Sequence, residues 1–180
     1  MKGIIFEVVE EVITQRFGED TWDELLIEAG VDGVWTTLGN YPDDQLGAIV
    51  VAASERLGVP VPDVLRLLGR AAFAGLVAHH SDLVEGHRSC RTLLLDLNGI
   101  IHPEVVKMYP DAEVPWFGVT ESGDTMEIVY RSVRSLGAFA EGLIQGAGDH
   151  FGETVELLEV EDRGTECRFV IRVEPASRSV

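Results

Sequence analysis

The chain has 180 residues, enough for one domain that buries a sizeable core or encloses a ligand. Hydrophobic residues make up 46% and charged residues 25%, which is a globular composition. A formal net charge of −17 excludes the clustered Lys and Arg that nucleic-acid phosphates demand, and it disfavours an anionic membrane surface.

Two cysteines, Cys90 and Cys167, make no disulfide framework. Glu7, Glu10 and Glu11 interrupt the apolar N-terminal stretch, so it does not read as a signal peptide. No apolar run approaches the roughly 20 residues of a membrane span, and a cytoplasmic location is expected. The sequence carries no internal repeat and no low-complexity tract.

Ile5, Val8, Val9, Val12 and Ile13 recur at helical spacing and predict a first helix from about Lys2 to Phe17, stopped by Gly18. Asp20 or Thr21 is expected to cap a second helix carrying Trp22, Leu25, Leu26 and Ile27, with Gly30 and Gly33 in the loop beyond. Pro42-Asp43-Asp44 opens a third helix that runs to Leu57, its acidic start matching the helix dipole. A fourth helix begins at Val61-Pro62-Asp63, with Val64, Leu67, Leu68, Ala71, Ala72, Gly75 and Leu76 facing inward. The small residues from Ala71 to Gly75 leave room for a flat or bulky neighbour, either a packed helix or a ligand plane.

His79, His80 and His87 lie in a polar segment and are expected to be exposed. An adjacent His-His pair points in two directions on a helix and makes a poor metal site by itself. Ser89 or Asn98 is the candidate cap for the helix that carries His102. Pro103 either kinks that helix or makes it restart near Ile101. Helical steps from His102 lead to Val106 and Tyr109 on one face, and Tyr109-Pro110 ends the helix. Pro115, in Val-Pro-Trp-Phe, starts an extended run.

From there the pattern is that of strands. Trp116–Thr120 and Met126–Arg131 flank a turn at Glu121–Asp124. A helix over Ser135–Phe151 sets Leu136, Phe139, Ala140, Leu143 and Ile144 on one face. Thr154–Val160 and Cys167–Val173 form a hairpin about Asp162-Arg163-Gly164. Helices first, then strand-strand-helix-strand-strand, is an α+β order.

Two constellations carry chemistry. His102 sits among Leu97, Ile100, Ile101, Val105 and Val106, a setting that by itself describes a core histidine. Tyr130, Ser132 and Arg134 stand at i, i+2 and i+4; if extended, a phenol, a hydroxyl and a guanidinium project from one face. By itself that describes a solvated strand edge. An imidazole ligates iron, and an arginine forks onto carboxylates, so the two suit a plate-shaped ligand with a metal centre and an acidic rim.

A histidine with Tyr-Pro seven residues on (His102, Tyr109-Pro110), followed about 28 residues later by Tyr-x-Ser-x-Arg (Tyr130, Ser132, Arg134), resembles the heme-nitric oxide/oxygen binding (H-NOX) family. That family includes the sensor domain of soluble guanylate cyclase. The resemblance covers nearly the whole chain. It implies an α+β fold in which N-terminal helices and a four-stranded antiparallel sheet with an inserted helix enclose heme b. It implies one domain over 1–180, with an N-terminal helical subdomain over 1–60 and a heme-ligating subdomain over 61–180. His102 is then the proximal iron ligand, with Tyr109 and Pro115 on the same side. Tyr130, Ser132 and Arg134 hold the heme carboxylates, and Pro115 presses on the heme and keeps it distorted. Ile5, Val9, Ala72, Leu76, Phe139 and Leu143 form the opposite, distal wall.

Oxygen-binding members carry a tyrosine where this chain has Phe139, and no other distal hydrogen-bond donor is expected. The resemblance therefore implies a sensor of nitric oxide and carbon monoxide that excludes oxygen and signals by release of the His102 helix. No zinc site is expected, because only Cys167 lies in the C-terminal region where some members cluster cysteines. With no room for an output domain, a histidine kinase, a diguanylate cyclase or a chemotaxis-type receptor is the expected partner in trans. Alternative readings are an oxygen-binding heme sensor, or a heme-free interaction module of the same fold. An enzyme built on Ser132 has neither a nucleophile elbow nor a Gly-rich phosphate loop to support it.

Overall fold

The computed structural model describes residues 1–175. Four helices come first: α1 (Gly3–Phe17), α2 (Glu19–Ala29), α3 (Asp43–Leu57) and α4 (Val61–His79). Their apolar stripes meet in a first core of Phe6, Val9, Leu25, Leu46, Ile49, Val50, Val64 and Leu68. Phe6 stacks on Trp35 with ring centroids 4.6 Å apart. The core draws on α4 beyond residue 60, through Val64, Leu68 and Ala72.

Local expectations are adjusted at several points. α2 begins earlier than a cap at Asp20 or Thr21 would allow, at Glu19 behind Gly18. Glu19 and Asp20 occupy its first turn, where carboxylates offset the positive helix end. The Thr21 hydroxyl instead donates to the Phe17 carbonyl at 2.9 Å. On α4 the buried stripe runs through Val64, Leu68, Gly69 and Ala72; Leu67 falls off that stripe and is 53% exposed rather than inward.

After α4 come α5 (Cys90–Leu95), a single wide helical turn over Leu97–Ile101, and α6 (His102–Met108). The strands β1 (Trp116–Ser122), β2 (Thr125–Arg131), β3 (Glu153–Asp162) and β4 (Glu166–Pro175) build one antiparallel sheet in the order β1-β2-β4-β3. Period-two alternation buries Met126, Ile128 and Tyr130 of β2 beside Cys167, Phe169 and Ile171 of β4. In β3 the register slips between Leu157 and Glu159, so Leu158 is a bulge. The inserted helix α7 (Gly137–Phe151) lies between β2 and β3 in sequence and packs on β3 and β4.

α4 and α7 touch backbone to backbone. A Cβ at Gly69 would come within 2.2 Å of the Phe139 carbonyl oxygen, and one at Gly142 within 2.3 Å of the Arg66 carbonyl oxygen. A Cβ at Gly146 would meet the Arg70 carbonyl oxygen at 2.5 Å, and one at Gly75 a methyl of Val8 at 2.8 Å. The small residues of α4 thus serve close packing against α1 and α7. The one buried charge at this contact, Glu141, accepts from Arg66 Nε at 2.9 Å.

A second core of Leu93, Leu94, Ile101, Phe117, Ile128, Ile144 and Phe169 lies under the sheet. Both cysteines are free and buried. Burial pushes each thiol up to about 12, helped by Glu153 near Cys90 and by Asp162 near Cys167. Among the described residues no helix is long and apolar enough to cross a membrane.

Candidate functional site

Between the two cores lies a cavity of about 660 Å³. His102, Tyr109, Pro115, Tyr130, Ser132 and Arg134 all line it, together with Ile5, Leu76, Phe139 and Leu143. Val9 and Ala72, also expected on its distal wall, are not lining residues; both are fully buried in the first core. Their side chains go to the packing of the helices rather than to the cavity.

His102 opens α6. The wide turn before it lets the Asp96 carbonyl accept from both Ile100 and Ile101. The helix restarts rather than kinks, with Pro103 in its first turn, where a missing N–H breaks no helical bond. Ser89 caps α5 by accepting from the Thr92 amide. Asn98 caps nothing: its Oδ1 accepts from the Phe117 amide at 3.1 Å and its Nδ2 donates to the Phe117 carbonyl. The expected face of His102, Val106 and Tyr109 is corrected as well. Val106 is 42% exposed, and Val105 faces the cavity in its place. Tyr109 lies just past the helix end with φ −119°, so helical spacing no longer governs it.

The His102 ring leans on Phe117, centroid to centroid 5.8 Å. Burial drives the imidazole down to about 4, against the opposing pull of the nearby Pro115 carbonyl, so it is neutral near pH 7. Its Nδ1 is buried without a hydrogen-bond partner. Among the described residues no group of three or more His, Cys, Asp or Glu is placed to hold a metal ion. A single neutral imidazole on a large apolar cavity cannot build a metal site alone. It does fit a metal whose other ligands arrive on an apolar macrocycle.

The cavity edge that carries Tyr130, Ser132 and Arg134 is a turn rather than a straight strand. Tyr130 is the last inward residue of β2, 3% exposed and edge-on to Phe117 at 5.4 Å. Burial raises its phenol, while Ser132 and the Leu136 backbone oppose the shift. Ser132 Oγ accepts from the Arg134 amide at 3.2 Å, and Ser135, in the left-handed region at φ 51°, donates its amide to the Ser132 carbonyl at 3.4 Å and closes the turn. Arg134 is held at every nitrogen. Nε donates to Asp43 at 3.0 Å, Nη1 to the Glu113 carbonyl at 2.7 Å and Nη2 to the Glu113 carboxylate at 3.0 Å. Two carboxylates and a carbonyl thus occupy a guanidinium suited to the acidic rim of a ligand.

Sequence reasoning missed His80. It is partly buried, lines the cavity, and shares a 2.5 Å hydrogen bond with the Tyr109 hydroxyl. The signal was present: Phe73, Leu76, Val77 and His80 follow one helical stripe, and all four face the cavity. Asp43 and Glu113 were likewise not foreseen as partners of Arg134. His79 is exposed as expected, near Glu11. His87 is not; it is partly buried, with Nε2 3.2 Å from Asp96.

The Haem-NO-binding family model matches residues 2–159. An H-NOX protein from S. oneidensis, solved in the Fe(II)NO state, is 29% identical with a TM-score of 0.90, the match covering 97% of this chain and 99% of that one. The S. oneidensis SO2144 H-NOX domain in the Fe(II)CO state is also 29% identical, at TM-score 0.86 over 97% of this chain and 99% of that one. The unliganded Fe(II) H-NOX protein from K. algicida is 27% identical, at TM-score 0.85 over the full length of both chains. Matching fold, matching length and a cavity lined by a neutral histidine and an arginine-bearing turn agree with the family model, and on these grounds the chain belongs to the Haem-NO-binding, or H-NOX, family of heme-based gas sensors.

Proposed function

We propose that this protein binds heme b, senses nitric oxide and carbon monoxide, excludes oxygen, and signals to a partner protein without catalysing a reaction. One observation carries the reading: one apolar cavity is lined both by the neutral imidazole of His102 and by Tyr130, Ser132 and Arg134. Bound heme would supply a ferrous iron able to take a diatomic gas. His102 would hold the iron. Tyr130, Ser132 and Arg134 would hold the carboxylates, whose unpaired burial would be costly, with Arg134 exchanging part of its hold on Asp43 and Glu113 for them. Pro115, on the cavity wall, would pack against the heme. Ile5, Leu76, Phe139 and Leu143 form a wall without a hydrogen-bond donor, which suits nitric oxide and carbon monoxide better than oxygen. Release of His102 on gas binding would free α6, and the output would be a changed surface read by a histidine kinase, a diguanylate cyclase or a chemotaxis-type receptor. We expect no zinc.

The test is an absorption spectrum of the purified, reduced protein after hemin reconstitution. A Soret band that shifts with nitric oxide and carbon monoxide supports the reading. A preparation that stays colourless after reconstitution sinks it, and a stable ferrous-oxy spectrum in air sinks the exclusion of oxygen.

A further inference from the structure

We infer that the hydrogen bond between His80 and Tyr109 is a restraint that holds the far end of the His102-bearing segment against the rest of the fold, and that His80 is therefore a positioning residue for the sensor. The inference rests on the proposed gas-sensing role. The segment is fastened at two ends. At its start, Asn98 grips the Phe117 backbone on both the amide and the carbonyl. At its far end, the Tyr109 hydroxyl meets His80 Nε2 at 2.5 Å, with the two rings perpendicular at 89°.

The two halves of the second fastening differ in rigidity. His80 ends α4, and its own amide donates to the Leu76 and Val77 carbonyls. α4 in turn lies against α7 so closely that Gly69, Gly142 and Gly146 leave no room for a Cβ. Tyr109 follows α6, a helix of seven residues whose Val105 and Met108 are partly buried against the cores and none of whose side chains is fully buried. Tyr109 is itself 4% exposed in the first core, and losing its partner would leave a hydroxyl unpaired inside the fold. One polar bond thus adds to that packing by tying the end of α6 to a fixed helix at the cavity wall, and it opposes any outward swing of α6.

Two measurements test this. In the heme-free protein, amide exchange over residues 102–109 should rise roughly three- to tenfold in His80→Ala and in Tyr109→Phe. The double variant should rise by the same factor, since all three lose one shared bond, and His80→Gln, which keeps a hydrogen-bonding amide, should fall back toward the parent. In the heme-loaded protein the same variants should lower the iron–histidine stretching frequency and raise the fraction of nitric oxide complex that has lost its histidine bond. Unchanged exchange in both single variants, or effects that add in the double variant, would overturn the restraint. Failure of the parent chain to take up hemin would sink the gas-sensor reading instead, and the exchange measurement on the heme-free protein would still judge the His80–Tyr109 bond.

Discussion

His102 and Arg134 are prepared in opposite ways. The imidazole is neutral and its Nδ1 unpartnered, whereas the guanidinium is engaged at all three nitrogens. His102→Gly should therefore lose heme, and free imidazole should restore it; full heme occupancy in the variant without added imidazole would contradict the ligand assignment. Asp43 offers a test of the other pole. Partial burial pushes its carboxyl up, but hydrogen bonds from the Met1 ammonium and from Arg134 outweigh this and hold it below the usual carboxylate range. A carboxyl whose folded pKa is depressed adds stability above its unfolded value, about 3.9, and loses it as pH falls through the folded value. Thermal melts of Asp43→Asn should thus lie below the parent at pH 5–7 and converge with it at lower pH; a gap that persists to pH 2 would argue that the charge is not responsible. Both poles were readable in the sequence because His102, Tyr109-Pro110 and Tyr130-x-Ser132-x-Arg134 are local spacings. Their partners were not, since Asp43 lies 91 residues from Arg134 and His80 lies 29 from Tyr109. Pairing across such distances leaves no period in the chain.

At the level of elements, the helices and strands matched their hydrophobic periods, and the departures fall where another constraint overrides the period. A wide turn absorbs Pro103, the end of α6 releases Tyr109 from helical spacing, and the chain leaves β2 after Arg131 for a turn that a left-handed Ser135 closes. The small stretch of α4 was ambiguous because tight helix packing and a flat ligand ask for the same residues. Gly142→Ala should separate α4 from α7 and cost about 1–3 kcal/mol, visible as a lower midpoint in chemical denaturation; parent-like stability would show that the backbones can yield. Pro115→Ala removes the ring expected to press on the heme. The out-of-plane heme modes in the resonance Raman spectrum should weaken, and an unchanged pattern would shift the source of distortion elsewhere.

For the molecule as a whole, the proposed selectivity among gases turns on the chemistry of one wall. Phe139 is 6% exposed and lines the cavity without a hydroxyl. Bound oxygen carries partial negative charge, so a donor to it is worth roughly 1.5–3 kcal/mol, about ten- to over a hundredfold in affinity. Nitric oxide gains far less. Phe139→Tyr should accordingly raise oxygen affinity by about that factor while leaving nitric oxide binding near the parent value. Equal gains for both gases would mean that the wall selects by size and not by hydrogen bonding.

The two sealed cysteines keep sulfur chemistry out of any test of the proposed gas binding. Nitrosation and oxidation attack thiolates that solvent can reach. Cys90 and Cys167 are buried and pushed up to about 12, so neither supplies a reactive sulfur at neutral pH. A colour change on exposing the folded protein to nitric oxide can then be credited to iron, with no background from modified sulfur and no covalent dimers to disentangle.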